Sequence, residues 1–275
     1  MAILLPSLAG VLGAIVGSFL NVVIHRVPAG LSVVRPPSAC PACSSPVRAY
    51  DNIPVLSWVI LRARCRDCAA PISARYPIVE LGTAALFVVV AAMLGPQLVL
   101  GVPTISLLAE LIVLVALLYL VAISIALAAI DLDAHRLPNS IVLPAYLVGA
   151  VALSAAAMLT GDIESFARAA AGAGILFAFY LALALIAPRG MGMGDVKLAG
   201  VLGLFLGWFG WDALAVGALA AFLLGGLYGV ILILARRARR TTGIPFGPWM
   251  LAGAWVGILF GESIARGYLA AFGLE

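Results

Sequence analysis

TISLLAELIVLVALLYLVAISIALAAI, residues 104–130, runs 27 residues with Glu110 as its only charge and stops at Asp131. A helix needs about 20 apolar residues to cross a hydrocarbon core about 30 Å thick, so this run suffices with turns to spare. It shows no period-2 alternation, and lipid offers the backbone no partner outside a helix or a closed barrel, which leaves a helix. On either side, apolar runs bounded by charges and by Pro or Gly fall near residues 3–24, 78–95, 140–160, 168–187, 197–210, 213–235 and 248–265. The sequence thus predicts an all-α, polytopic integral membrane protein of about eight transmembrane helices. Composition agrees, with 64% apolar and 10% charged residues against roughly 25% charged in a soluble domain. The start of the chain has no basic n-region or small-residue cleavage site, so residues 3–24 are expected to persist as the first span. Only the Trp208–Trp211 corner separates 197–210 from 213–235, and fusing them would flip the last helix.

Orientation follows from Lys and Arg near the span ends. With the N-terminus outside, Arg26, Arg35, Arg48, Arg62, Arg64, Arg66, Arg75, Arg136, Arg189, Lys197, Arg236, Arg237, Arg239 and Arg240 fall inside and only Arg168 and Arg266 outside, 14 against 2. Three parts result: a first transmembrane helix at 1–24, a cytoplasmic insertion at 25–77 and a seven-helix membrane domain at 78–275. The insertion carries seven Arg against Asp51 and Asp67 and is too small to fold on an apolar core alone. The whole chain's charge of +4 is too small and too unevenly placed to suggest nucleic acid, and clustered Arg at a membrane edge suits anionic lipid.

The staple is visible in the sequence. Cys40-Pro-Ala-Cys43 and Cys65-Arg-Asp-Cys68 are two CxxC pairs, 21 residues apart. Two such turns present four thiolates to one ion and close a tetrahedral, structural zinc site of ribbon type, with no open position for water. Arg64 and Arg66 flank the second pair and are expected to favour thiolates. Two local redox pairs or inert thiols are the alternative, and an iron–sulfur centre would use the same ligand count.

Charges at span ends are functional candidates by default. Asp131 opens Asp131-Leu-Asp133-Ala-His135-Arg136, and Asp195 closes Gly190-Met-Gly192-Met-Gly194-Asp195. Both fall on the expected cytoplasmic edge. Two carboxylates brought together cannot both ionise, so one keeps a proton while the other deprotonates water, as an aspartyl protease requires. Gly190, Gly192 and Gly194 remove side chains where a peptide could approach. Read singly, Asp131 is a solvated helix end beside Arg136, and Asp195 a helix N-terminal charge with Lys197 as an interfacial anchor. His25 and His135 read as interfacial. A transporter relaying protons through the same carboxylates is the rival class.

Taken together, GSFLNVVIHRVP (17–28), the two CxxC pairs, RYPIVEL (75–81), IDLDAHRLPN (130–139), GMGDVKL (192–198) and IPFGP (244–248) make the chain resemble the bacterial prepilin leader peptidase family over nearly its whole length. These are bifunctional leader peptidases and N-methyltransferases of type IV pilus and type II secretion systems. The resemblance implies a non-pepsin aspartyl protease of the bacterial inner membrane in which Asp131 and Asp195 match the catalytic carboxylates, with Asp133 the rival for the first position. It implies cleavage of prepilins or pseudopilins after a glycine, then methylation of the new N-terminal residue from S-adenosylmethionine. Gly192, Gly194 and Lys197 belong to the matched motif, and Glu80 is a polar participant at the membrane edge after the insertion. No methyl-donor fold is visible, and a peptidase without methyltransferase activity stays open.

Overall fold

The computed structural model describes residues 3–95, 103–188, 190–237 and 244–273. Arg189, Arg239 and Arg240, counted in the orientation argument, lie outside the described residues. The described helices are α1 (Leu4–Arg26), α2 (Leu56–Ile60), α3 (Arg75–Leu94), α4 (Thr104–Ala134), α5 (Asn139–Thr160), α6 (Ile163–Ile186), α7 (Met193–Phe209), α8 (Trp211–Leu234) and α9 (Gly247–Ala271). No strand occurs among the described residues.

Seven of these helices are long and apolar enough to cross a membrane: α1, α3, α4, α5, α6, α8 and α9. The eighth expected span, 197–210, is the 17-residue α7, about 25 Å long and short for a full crossing. Most of α7 is buried against its neighbours, which is how so short a helix avoids facing lipid. Gly210, at φ 138°, breaks the chain between α7 and α8, a conformation that a side chain would resist. The two runs are therefore separate helices.

Several helices outrun their apolar stretches because polar residues form the first or last turn. α6 starts at Ile163 rather than 168, since the Asp162 carboxylate caps the Ser165 N–H at 3.0 Å and brings Glu164 and Arg168 into the helix. Arg168 then donates to the Gly207 and Trp208 carbonyls at 3.1 and 3.3 Å, satisfying the C-terminal end of α7. At its other end α7 starts at Met193, which puts Asp195 and Lys197 near its N-terminus. α4 continues past residue 130 through Asp131 and Asp133.

The chain divides into two compact units. The first holds α1, the insertion, α3 and residues 117–130 of α4, and the second holds the two ends of α4 and α5 to α9. In the first, α1 packs along α3 through Gly10, Gly13 and Gly17, where a Cβ would lie 2.7–2.9 Å from Val88, Ala84 or Glu80. In the second, α6 meets α7 backbone to backbone at Gly172, Gly203 and Gly207, and α8 meets α9 at Gly217, Gly253 and Gly257. Small residues allow this approach, and van der Waals packing then holds helices together where lipid removes the hydrophobic drive.

Gly172 and Gly174 on α6 provide a matched test. A Cβ at Gly172 would press on the Gly203 carbonyl of α7, whereas a Cβ at Gly174 meets nothing within 4 Å. Gly172→Ala is expected to destabilise the protein by about 1–3 kcal/mol, and Gly174→Ala to be neutral or slightly stabilising. Thermal unfolding of both variants in the same detergent checks the contrast.

Candidate active site and metal centre

The metal centre forms from two local turns of the same design. Cys40 N–H donates to Ser45 O and Ser44 N–H returns to Cys40 O, at 2.9 and 2.8 Å. Cys65 N–H donates to Ala70 O and Ala69 N–H returns to Cys65 O, at 2.8 and 3.0 Å. Ser44 and Ala69 hold the matching left-handed positions, φ 60° and 57°, and isolated bridges Ala39–Pro46 and Arg64–Pro71 close each turn. The four sulfur atoms lie within 4.8 Å of one another, with Cys40 Sγ 3.8 Å from Cys68 Sγ. Sulfurs around one zinc at 2.3 Å stand about 3.8 Å apart, so the donor set fits that ion.

Arg66 does not serve the thiolates as its position in the sequence suggests. Its guanidinium grips the Asp51 carboxylate at 2.5 Å, while Arg48 reaches Asp67 at 3.1 Å, so the two knuckles are tied crosswise. Arg66 holds the Asp51 carboxyl below its ordinary value. That contribution is present above about pH 4 and fades as the pH falls through the lowered value. The thiols are tuned by hydrogen bonds. The Ser45 hydroxyl and backbone draw Cys43 down to about 6. Backbone donors at Cys68 and Asp67 lower Cys65. Cys68 rises to about 12, the pull of the Ala70 backbone being outweighed by the Cys43 side chain and by burial. Four thiols this close cannot all ionise without a cation among them.

Glu80 is 7% exposed, and its Oε2 accepts the Val55 N–H of the insertion at 2.7 Å. Val55 holds φ 63°, and α2 follows directly, with Ser57 bonded back to Ile53 and Tyr50. Gly17 of α1 lies against the Glu80 backbone, and Asn21 donates to the Tyr76 carbonyl. Glu80 is thus bonded into the insertion. Arg75, at the start of the same helix, reaches the Ala129 carbonyl of α4 at 3.4 Å.

In the second unit the structure brings Asp131 and Asp195 together, close enough for their charges to interact. Asp131, in the last turn of α4, is 5% exposed, and its Oδ2 accepts the Gly247 N–H at 3.0 Å. Asp133, two residues on and so on the opposite side of the helix, is exposed. Asp195 Oδ2 accepts the Gly192 N–H at 3.0 Å, the backbone half of a capping box. Each carboxylate meets a helix start, Asp131 that of α9 and Asp195 that of α7, where free N–H groups favour an anion.

The glycines divide differently from the sequence expectation. None of Gly190, Gly192 and Gly194 has positive φ. A Cβ at Gly190 or Gly192 would meet neighbours only at ordinary contact, 3.5 Å or more, while at Gly194 it would press on Leu137 at 3.1 Å. The demanding glycine is Gly247, where a Cβ would lie 2.7 Å from Asp131 Oδ2 and 3.2 Å from Leu137. Leu137 therefore wedges against the starts of both α7 and α9. IPFGP was visible as a motif, but nothing in the sequence shows that its glycine holds Asp131. Lys197 donates from Nζ to Asn139 Oδ1 at 3.2 Å, tying α7 to the start of α5. Tyr180 is 2% exposed, interacts with Asp195, and stacks in a cluster with Phe222 and Phe246. His135 is exposed and lies near Asp131.

Residues 11–94 match the Bacterial Peptidase A24 N-terminal domain, and residues 118–233 match the Type IV leader peptidase family. The chain is similar to the prepilin leader peptidase/N-methyltransferase of Aeromonas hydrophila, at 39% identity over 97% of this chain and 94% of the relative. It is also similar to those of Pseudomonas aeruginosa, at 34% over 96% and 93%, and Burkholderia pseudomallei, at 35% over 91% and 84%. No solved structure matches it. With both domains matched in order and relatives this similar along nearly its whole length, the chain belongs to the Type IV leader peptidase family, among the prepilin leader peptidase/N-methyltransferases.

Proposed function

We propose that this multi-pass membrane protein is an aspartyl endopeptidase that removes the leader from type IV prepilins or pseudopilins after a glycine, and an N-methyltransferase that methylates the new N-terminus from S-adenosylmethionine. The observation that carries the peptidase is the buried Asp131, held by the Gly247 N–H beside Asp195. A backbone donor on one oxygen of each carboxylate fixes its rotamer and leaves the other oxygen for proton transfer. The ionised member takes a proton from water as the water oxygen attacks the scissile carbonyl. The protonated member supports the developing oxyanion, and the carboxyl that took the water's proton passes it to the leaving amine as the C–N bond breaks. The Lys and Arg excess on one side of the sequence supports a cytoplasmic position for this pair, where the basic leader of a membrane-inserted prepilin would present the bond.

The four cysteines would hold a structural zinc that fixes the fold of the insertion. Glu80 would seat that insertion on α3 through Val55, and Lys197 would brace α7 against α5 through Asn139. The methyl transfer rests on the likeness to the named relatives.

Processing of a prepilin by solubilised protein, read by mass spectrometry of the mature N-terminus, tests the peptidase. Asp131→Asn and Asp195→Asn should each lower the cleavage rate at least about 100-fold, while Asp133→Asn stays within about twofold of wild type. Cleavage surviving either of the first two variants would remove that carboxylate from the mechanism.

For the insertion, elemental analysis of the purified chain should find one zinc per protein, absent from Cys40→Ser and Cys65→Ser. Limited proteolysis should then cut those variants within residues 27–74 while the wild type resists, because a small metal-held module unfolds without its ion. Equal resistance of a zinc-free variant would mean that the crosswise ion pairs suffice.

A further inference from the structure

Tyr146 of α5 makes an unusual contact with α7. Its hydroxyl donates to the Lys197 carbonyl at 2.6 Å, with the Val201 backbone beside it. In an uninterrupted helix the Lys197 carbonyl pairs with the Val201 N–H, four residues on. The tyrosine hydroxyl is therefore a second donor to a carbonyl of the α7 ladder, in the turn that follows Asp195. Insertion of a side chain into that ladder is a known cause of local helix distortion.

The fit depends on Gly200, because a Cβ there would collide with the hydroxyl and stand 3.0 and 3.2 Å from ring atoms Cζ and Cε1. The same helix pair is tied a second time by Lys197 Nζ and Asn139. Both ties bear on the start of α7, and α5 begins eight residues after Asp131, with Leu137 packed on Gly194 between them.

We propose that Tyr146 is a positioning residue for peptide cleavage: its hydroxyl sets the path of the first turns of α7 and thereby the place of the Asp195 carboxylate relative to Asp131. Without the hydroxyl, the Lys197 carbonyl loses this second donor and the turn relaxes toward ordinary helical geometry. The α7 ladder supplies its own hydrogen bonds, so the fold survives while the carboxylate moves. Displacements of this kind lower the rate of the chemical step more than substrate binding.

The proposal rests on Asp195 being a catalytic carboxylate, so Asp195→Asn is assayed alongside Tyr146→Phe on one prepilin substrate. Tyr146→Phe is expected to melt within about 3 °C of wild type, to lose kcat about tenfold or more and to keep KM within about twofold. Gly200→Ala, which evicts the hydroxyl sterically, should lose kcat similarly, and the double variant should be no worse than the poorer single one because both act on one contact. Wild-type kcat in a folded Tyr146→Phe protein would overturn the positioning role while Asp195→Asn stays inactive. So would a loss confined to KM, or one matched by a fall in melting temperature. An active Asp195→Asn protein would instead overturn the carboxylate assignment itself, and the positioning role with it.

Discussion

Asp131 takes a carboxylate to a place where only 5% of the residue meets solvent, and the Gly247 N–H is the contact that makes this burial tolerable. A buried carboxylate without a donor costs several kcal/mol. The bond joins residues 116 positions apart, fixing the end of α4 against the start of α9. Leu137 can then touch Gly194 and Gly247 at once, and α7 brings Asp195 alongside. Residue 247 has to be glycine for the carboxylate to come this near, so the motif around it is a geometric requirement of Asp131.

Backbone proximity does the same work throughout the helices. Apolar side chains gain nothing by leaving lipid for one another, so cohesion comes from close contact, and close contact needs small residues. Gly172 and Gly203 let α6 and α7 meet at their backbones, and Gly253 and Gly257 do so for α8 and α9. The insertion faces water with too little apolar surface for a core and is held by polar means: a cysteine cluster, two crosswise Arg–Asp pairs and Trp58 bonded to the Ile72 carbonyl.

Much of this was legible in the sequence, for identifiable reasons. Apolar runs reveal helices because lipid permits little else, and the CxxC spacing reveals a tetrad because each turn is local. The errors lie where polar residues join a helix. Asp162 caps α6 ahead of its apolar stretch, and Met193 starts α7 early enough to enclose Asp195 and Lys197. Asp131 and Asp133 could not be separated by spacing alone, but helical geometry turns one inward and the other out. Gly247 and Tyr146 were illegible, because their partners lie 116 and 51 residues away and a single sequence records no pairing.

Six carboxylates among the described residues show two kinds of donor. Asp51, Asp67 and Glu164 are each paired with an arginine, an arrangement that favours the ionised form and suits a group whose task is to hold structure. Asp131, Asp195 and Glu80 instead accept backbone N–H groups. Lys197, two residues from Asp195, gives its bond to Asn139. A backbone donor orients a carboxylate without bringing a full positive charge, so the acid can still exchange a proton. Under the proposed mechanism the two carboxylates share one proton, and a guanidinium beside either would fix it as the anion and end its part in proton transfer.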